Sequence, residues 1–261
     1  MFEYILYFFV ILFGVCIGSF LNCVIYRLET EKSLKGRSFC PHCKHVLSWQ
    51  DLFPVFSFLF LGTKCRYCKK GISWQYPLVE LATGVFFLLI FIFQFSFVGQ
   101  LSALKFINLA FWFYIISVLI VIFIYDLKHY LIPDKVLFPA IVIALIYNFA
   151  APQNILNNLL AVVISSGFFL TIFLISKGKW MGFGDVKFAI LMGLLLGVQN
   201  VLVALFLAFF FGAIIGLALM VLEKKGLKSE IPFGPFLIIG TFIASIYGNL
   251  IVQWYLNFLK I

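Results

Sequence analysis

Four cysteines and a few acids carry most of the chemistry available to this chain. Cys40 and Cys43 form one pair, CPHC, and Cys65 and Cys68 a second, CRYC. Two CxxC knuckles at this spacing match a four-thiolate zinc site, because each knuckle brings two sulfurs onto one turn and two turns close a tetrahedron. Four thiolates leave no open coordination position, so the expected Zn2+ is structural. In a small insert with little core, the metal would supply folding energy. Two disulfides, or a redox CxxC, are the other uses of such pairs; a reducing compartment disfavours the first. His42 and His45 beside the first knuckle could substitute as ligands. Cys16 and Cys23 read as small buried apolar residues.

The acids of interest are Glu80, Asp126, Asp134 and Asp185, which lie in or beside apolar stretches where charge is expensive. Asp126 stands in YDLKHYLIPD and Asp185 in MGFGDVK. If these two carboxylates meet, they share one proton. The ionised member then activates a water and the protonated one polarises a carbonyl, which is aspartyl peptide hydrolysis without metal or covalent intermediate. The other reading makes both helix-end acids, with Asp185 favoured by a helix dipole and Asp126 paired with Lys128 or His129. Asp134, following Pro133, reads as an N-cap. Glu80 could cap, pair with a basic residue or line a pocket.

The elements that must position these groups follow from composition. Of 261 residues, 64% are hydrophobic and 11% charged, and mean hydropathy is +1.13. Soluble domains hold roughly 25% charged residues. A soluble enzyme, a disordered tail and a coiled coil are therefore excluded, and continuous apolar runs argue against a β-barrel. The expected fold is an all-α polytopic membrane protein of about eight transmembrane helices with a small cytoplasmic zinc-binding insert. The apolar segments are 4–25, 78–97, 106–125, 136–150, 156–176, 186–198, 200–222 and 235–256, those at 136–150 and 186–198 being short. The first reads as an uncleaved span with its N-terminus outside, since basic residues begin after it at Arg27. Alternation then makes 26–77, 126–135, 177–187 and 223–234 cytoplasmic. These hold all of the 19 lysines and arginines except Lys105 and Lys260, as the positive-inside rule requires. The same rule explains the formal charge of +9 without nucleic acid. Three regions result: a first span over 1–25, a four-cysteine module over 26–77 and a membrane core over 78–261.

Five stretches carry a family likeness: GSFLNCVIYRL (18–28), the double-knuckle insert running through YPLVELATG (38–84), DLKHYLIPD (126–134), GFGDVK (182–187) and IPFGPF (231–236). In this order, the chain resembles the bacterial type IV prepilin peptidases, bifunctional leader peptidase/N-methyltransferases of the GxGD aspartyl protease type. The resemblance implies Asp126 and Asp185 as the catalytic pair, with Asp134 outside it. It implies cleavage of prepilin or pseudopilin substrates after the Gly that ends a basic leader, at the cytoplasmic face of the bacterial inner membrane. N-methylation of the new terminus would follow, using S-adenosylmethionine. The cysteine insert is characteristic of members that methylate. No glycine-rich Rossmann fingerprint locates the methyl donor.

Other functions use the same residues differently. A leader peptidase could lack methylation. A transporter could use the two aspartates as an ion site, although no internal repeat is evident. A scaffold could present the zinc module to a cytoplasmic partner.

Overall fold

The computed structural model describes residues 2–94, 103–150, 155–223 and 231–259. Lys224, Lys225, Lys228 and Lys260, and the end of the second apolar segment, lie outside them. Among the described residues there is no β-strand, only two isolated bridges. The helices are α1 (Phe2–Glu29), a short α2 (Phe56–Phe60), α3 (Gln75–Gln94), α4 (Ala103–His129), α5 (Asp134–Ala150), α6 (Ile155–Ser176), α7 (Phe183–Glu223) and α8 (Gly234–Phe258). Six of them are long and apolar enough to cross a membrane: α1, α3, α4, α6, α7 and α8. The chain forms two compact units, Met1–Val121 and Ile122–Ile261.

In the first unit α1 and α3 pair antiparallel. Asn22 Nδ2 donates to the Tyr76 carbonyl at 3.0 Å at one end, and Tyr7 meets Phe91 edge-on at the other. Gly14 and Gly18, spaced as a GxxxG motif, let the backbones touch. A Cβ on Gly18 would lie 2.6 Å from Glu80 Cα, and one on Gly14 2.8 Å from Gly84 Cα. Small residues at such an interface replace the hydrophobic drive that lipid cannot supply. Helix α3 therefore packs with the first span, within the first unit. Cys16, expected to be buried, is exposed on α1, on a surface that lipid would cover, and Cys23 is half-buried. The pairing with α3 uses the face carrying Gly14, Gly18 and Asn22 instead.

The second unit contains a sharp reversal. Helix α7 consists of two helical arms meeting at Gly197, whose φ +70° and ψ 176° lie outside helical space. A continuous helix would join the Leu194 carbonyl to the Val198 N–H. Here Asn148 and Asn158 donate to the Leu194 carbonyl at 3.0 and 3.2 Å. The Val198 N–H donates to Asn157 Oδ1 at 3.4 Å. Side-chain amides thus satisfy the freed backbone groups, as an apolar setting demands. The first arm of α7 runs antiparallel to α6, with Ser165 donating to the Ala189 carbonyl. The second arm runs antiparallel to α8: Asn200 lies against Gly248, and Gly212 against Phe236. The break splits α7 where the sequence separates 186–198 from 200–222, so each of the eight expected apolar segments appears as helix over its described residues. The short α5 lies on α7.

Candidate active site and cysteine cluster

Asp126 lies in the last turn of α4, and Asp185 in the first turn of α7. They are 4% and 8% exposed, at the same end of the second unit. The Tyr130 N–H donates to the Asp126 carbonyl to close α4, and Tyr130 has φ +55°. The chain then crosses Leu131–Pro133 to α5. Ile132 packs against the Gly184 position on one side and the Gly234 position on the other. It is the shared neighbour that brings the two acids' surroundings together.

Each acid has a glycine against it. A Cβ on Gly234 would lie 2.4 Å from Asp126 Oδ2, so glycine leaves the Asp126 carboxylate in place, and the Gly234 N–H is directed to the Asp126 carboxylate. The Gly182 N–H is directed to the Asp185 carboxylate. The Pro after Gly234 starts α8 at a position where a missing N–H is harmless. Sequence reasoning met Gly234 only inside the IPFGPF likeness. A glycine directly before a helix-starting proline at a membrane boundary was the available signal.

Asp134 differs from its expected place. The Pro133 carbonyl accepts the Leu137 N–H, so Pro133 holds the cap position and Asp134 is already in the first turn of α5. Its carboxylate instead pairs with Lys187, two residues past Asp185 on α7. Lys187 also lies over the Phe138 and Phe183 rings.

The cysteine cluster is in the first unit. The four Sγ atoms lie within 4.8 Å of one another, and Cys40 and Cys68 are 3.9 Å apart. A tetrahedron with Zn–S bonds of about 2.3 Å has edges of about 3.8 Å, so these donors fit a four-thiolate metal site. The two knuckles are built alike. Cys40 N–H donates to the His45 carbonyl at 2.9 Å and Cys65 N–H to the Lys70 carbonyl at 2.8 Å. Lys44 and Lys69 return bonds to the cysteine carbonyls, both from left-handed backbone. The bridges Phe39–Val46 and Lys64–Gly71 flank them at matching positions. Burial resists ionisation of Cys40, but the backbone at Cys43 and His42 and the sulfurs of Cys65 and Cys43 outweigh it, and its pKa falls to about 7. For Cys68 the Lys70 backbone favours the thiolate, yet burial and the three neighbouring sulfurs prevail, pushing it up to about 11. A metal must therefore displace protons to bind all four. His45 stacks on Tyr67 with ring centroids 3.6 Å apart, a packing role rather than ligation.

Two further residues hold this module. Arg27, only 4% exposed at the end of α1, reaches the carbonyls of Ser33, Leu34, Lys35, Gly36 and Arg37. Its guanidinium is the template for that loop, a role hidden in the sequence by its fit to the topology count. Glu80, 6% exposed, accepts the Val55 N–H at 2.7 Å and a bond from Ser19. Val55 has φ +60°, a costly conformation for a β-branched residue that the Glu80 bond helps to hold.

The Bacterial Peptidase A24 N-terminal domain matches residues 12–94, and the Type IV leader peptidase family matches residues 113–217. The chain is 32% identical to a prepilin leader peptidase/N-methyltransferase of Aeromonas hydrophila, covering 96% of this chain and 94% of that protein. A protein of the same name from Legionella pneumophila is 32% identical, with coverages of 98% and 96%. One from Bacillus subtilis strain 168 is 30% identical, with 94% and 96%. No solved structure gave a significant match. Both halves of the chain are thus accounted for by one kind of protein, from end to end, and the chain belongs to the type IV leader peptidase family.

Proposed function

We propose that this protein cleaves the basic leader of prepilin-like substrates with the pair Asp126 and Asp185, and then methylates the new N-terminus. The observation that carries the reading is the burial of two acids from different helices at one end of the second unit, each with a glycine backbone against its carboxylate. One proton shared between them leaves one carboxylate to take a proton from water and one carboxyl to donate to the scissile carbonyl oxygen. The water attacks the carbonyl carbon, and the departing amine leaves as the mature N-terminus. Gly234 and Gly182 give a peptide close access to the pair.

Lys128, Lys135, Lys177, Lys179 and Lys187 lie near this end in sequence, which supports a cytoplasmic orientation by the positive-inside rule. A prepilin presents its leader on that side, with its apolar helix in the bilayer. Zinc is the metal best suited to the four thiolates, and a closed shell gives it a structural role over residues 26–77. S-adenosylmethionine supplies a methyl group when bound, and the transfer is assigned to the unit that carries the cysteine module.

The test is cleavage of a prepilin by the wild type, Asp126→Asn and Asp185→Asn, with mass spectrometry of the mature N-terminus. Loss of cleavage in both folded variants, and a methylated terminus from the wild type, are expected. Normal processing by either variant overturns the pair.

A further inference from the structure

The stretch joining the two knuckles carries an exposed apolar surface. Trp49, Phe53, Phe56, Leu59 and Phe60 are all exposed, Trp49 at 68% and Phe60 at 86%. Trp49, Phe53, Phe56, Phe60 and Leu61 line one open groove, with Gln50, Ser57 and Arg66 as its polar residues. Arg66 is already engaged by Asp51 at 2.7 Å. Five of its eight lining residues are apolar, which suits an apolar partner better than a ligand rich in hydroxyl and carboxylate groups.

The position of this surface is set by two contacts. Val55 is tied to Glu80, which lies about 8 Å along α3 from Gln75 at about 1.5 Å rise per residue. Phe58 packs edge-on against Trp74, just before α3. The segment 53–60 is therefore folded back beside the first turns of a helix apolar enough to cross a membrane. It is also joined covalently to α1 and α3 at either end of the module. With Arg27 buried on the loop carbonyls and Arg66 paired to Asp51, the module still carries seven lysines and arginines against two glutamates, which suits an anionic surface.

We propose that the aromatic face Trp49–Phe60 inserts into the headgroup region of an anionic bilayer and anchors the cysteine module to the leaflet. Aromatic rings gather at this depth of a membrane, and basic side chains around them meet lipid phosphates. An uncovered apolar patch in water would be an association hazard; in the interface it is solvated by acyl chains. The strained Val55 backbone and its Glu80 partner then serve to hold the rings at that level.

The test uses the full-length protein in nanodiscs of phosphatidylglycerol and phosphatidylethanolamine. A photoreactive p-benzoylphenylalanine is placed at Phe60 or, as a control in the second knuckle, at Tyr67. Irradiation is expected to give phospholipid adducts at position 60 and none at position 67. Absence of lipid adducts at position 60 overturns the proposal. Hydroxyl-radical footprinting of unmodified protein gives a second reading independent of the substitution: Trp49, Phe56 and Phe60 should resist oxidation in nanodiscs without any addition. Ready oxidation of these rings, or protection that appears only with a prepilin peptide or S-adenosylmethionine, overturns it.

Discussion

The cysteine module and the aspartate end of the second unit solve the same problem, gathering polar groups at a defined point, by opposite means. In the module the gathering is local. Each knuckle is a short turn whose cysteine N–H and carbonyl are bonded within five residues, and the second knuckle repeats the first. At the aspartate end it is distant: α4, α7 and α8 contribute, and Ile132 and Gly234 hold them in register. Local construction leaves four thiols within 4.8 Å of one another, where a metal can join them. Distant construction depends on whole helices packing to within a few tenths of an ångström.

The largest effect that would sharpen this contrast is a double dissociation. Asp126→Asn or Asp185→Asn should lower prepilin cleavage by about 10^3-fold or more while zinc content, read by atomic absorption, stays at that of the wild type. Cys65→Ser should abolish zinc binding, since structural zinc contributes about 10–16 kcal/mol to such modules, and should remove methylation while the helices remain folded by circular dichroism. Loss of zinc from an aspartate variant would break the comparison.

Next is Gly234→Ala. The added methyl meets Asp126 Oδ2 at 2.4 Å, so the carboxylate must move, and a displacement of about 1 Å costs about 100-fold in rate. Initial-rate assays should show the loss in turnover, with thermal stability little changed.

A smaller effect is expected at Asp51, which accepts from Ser48, Arg66 and Tyr67. Burial opposes its ionisation, but these bonds outweigh burial and hold its carboxyl below the usual carboxylate range. A depressed folded value means stability that is present above about pH 4, the unfolded range, and is lost as pH falls through the lower folded value. Asp51→Asn should destabilise the module by about 1–3 kcal/mol at neutral pH, and the difference from wild type should shrink on acidification, measured by thermal unfolding.

The smallest is Lys187→Met. Its partner Asp134 is half exposed, so the pair contributes about 1 kcal/mol or less. A large loss of stability here would show that the aspartate end relies on charge as well as packing.

These two constructions also explain what could be read from the amino acids alone. The knuckles were legible because their ligands lie a fixed few residues apart. The eight apolar segments were legible because a bilayer demands length. Asp126 and Asp185 stood out because acids are rare in such runs. The roles of Ile132 and of the Glu80–Val55 bond were not legible, since each acts on a partner far away in sequence. The N-cap expected at Asp134 failed because Pro133 already supplied the first carbonyl. The burial expected of Cys16 failed because α1 packs through the face that carries Gly14, Gly18 and Asn22, and Cys16 lies off that face.

The reversal at Gly197 has a consequence for anyone who engineers this protein. The two arms of α7 meet with no intervening loop, so there is no slack between them. Adding one residue on either side would turn that arm by about 100° about its axis, swinging one whole face of contacts away from its neighbours. Epitope tags and fusion points that long connections tolerate should be rejected at this bend, and deletion or insertion scanning should register it as the least forgiving crossing point of the chain.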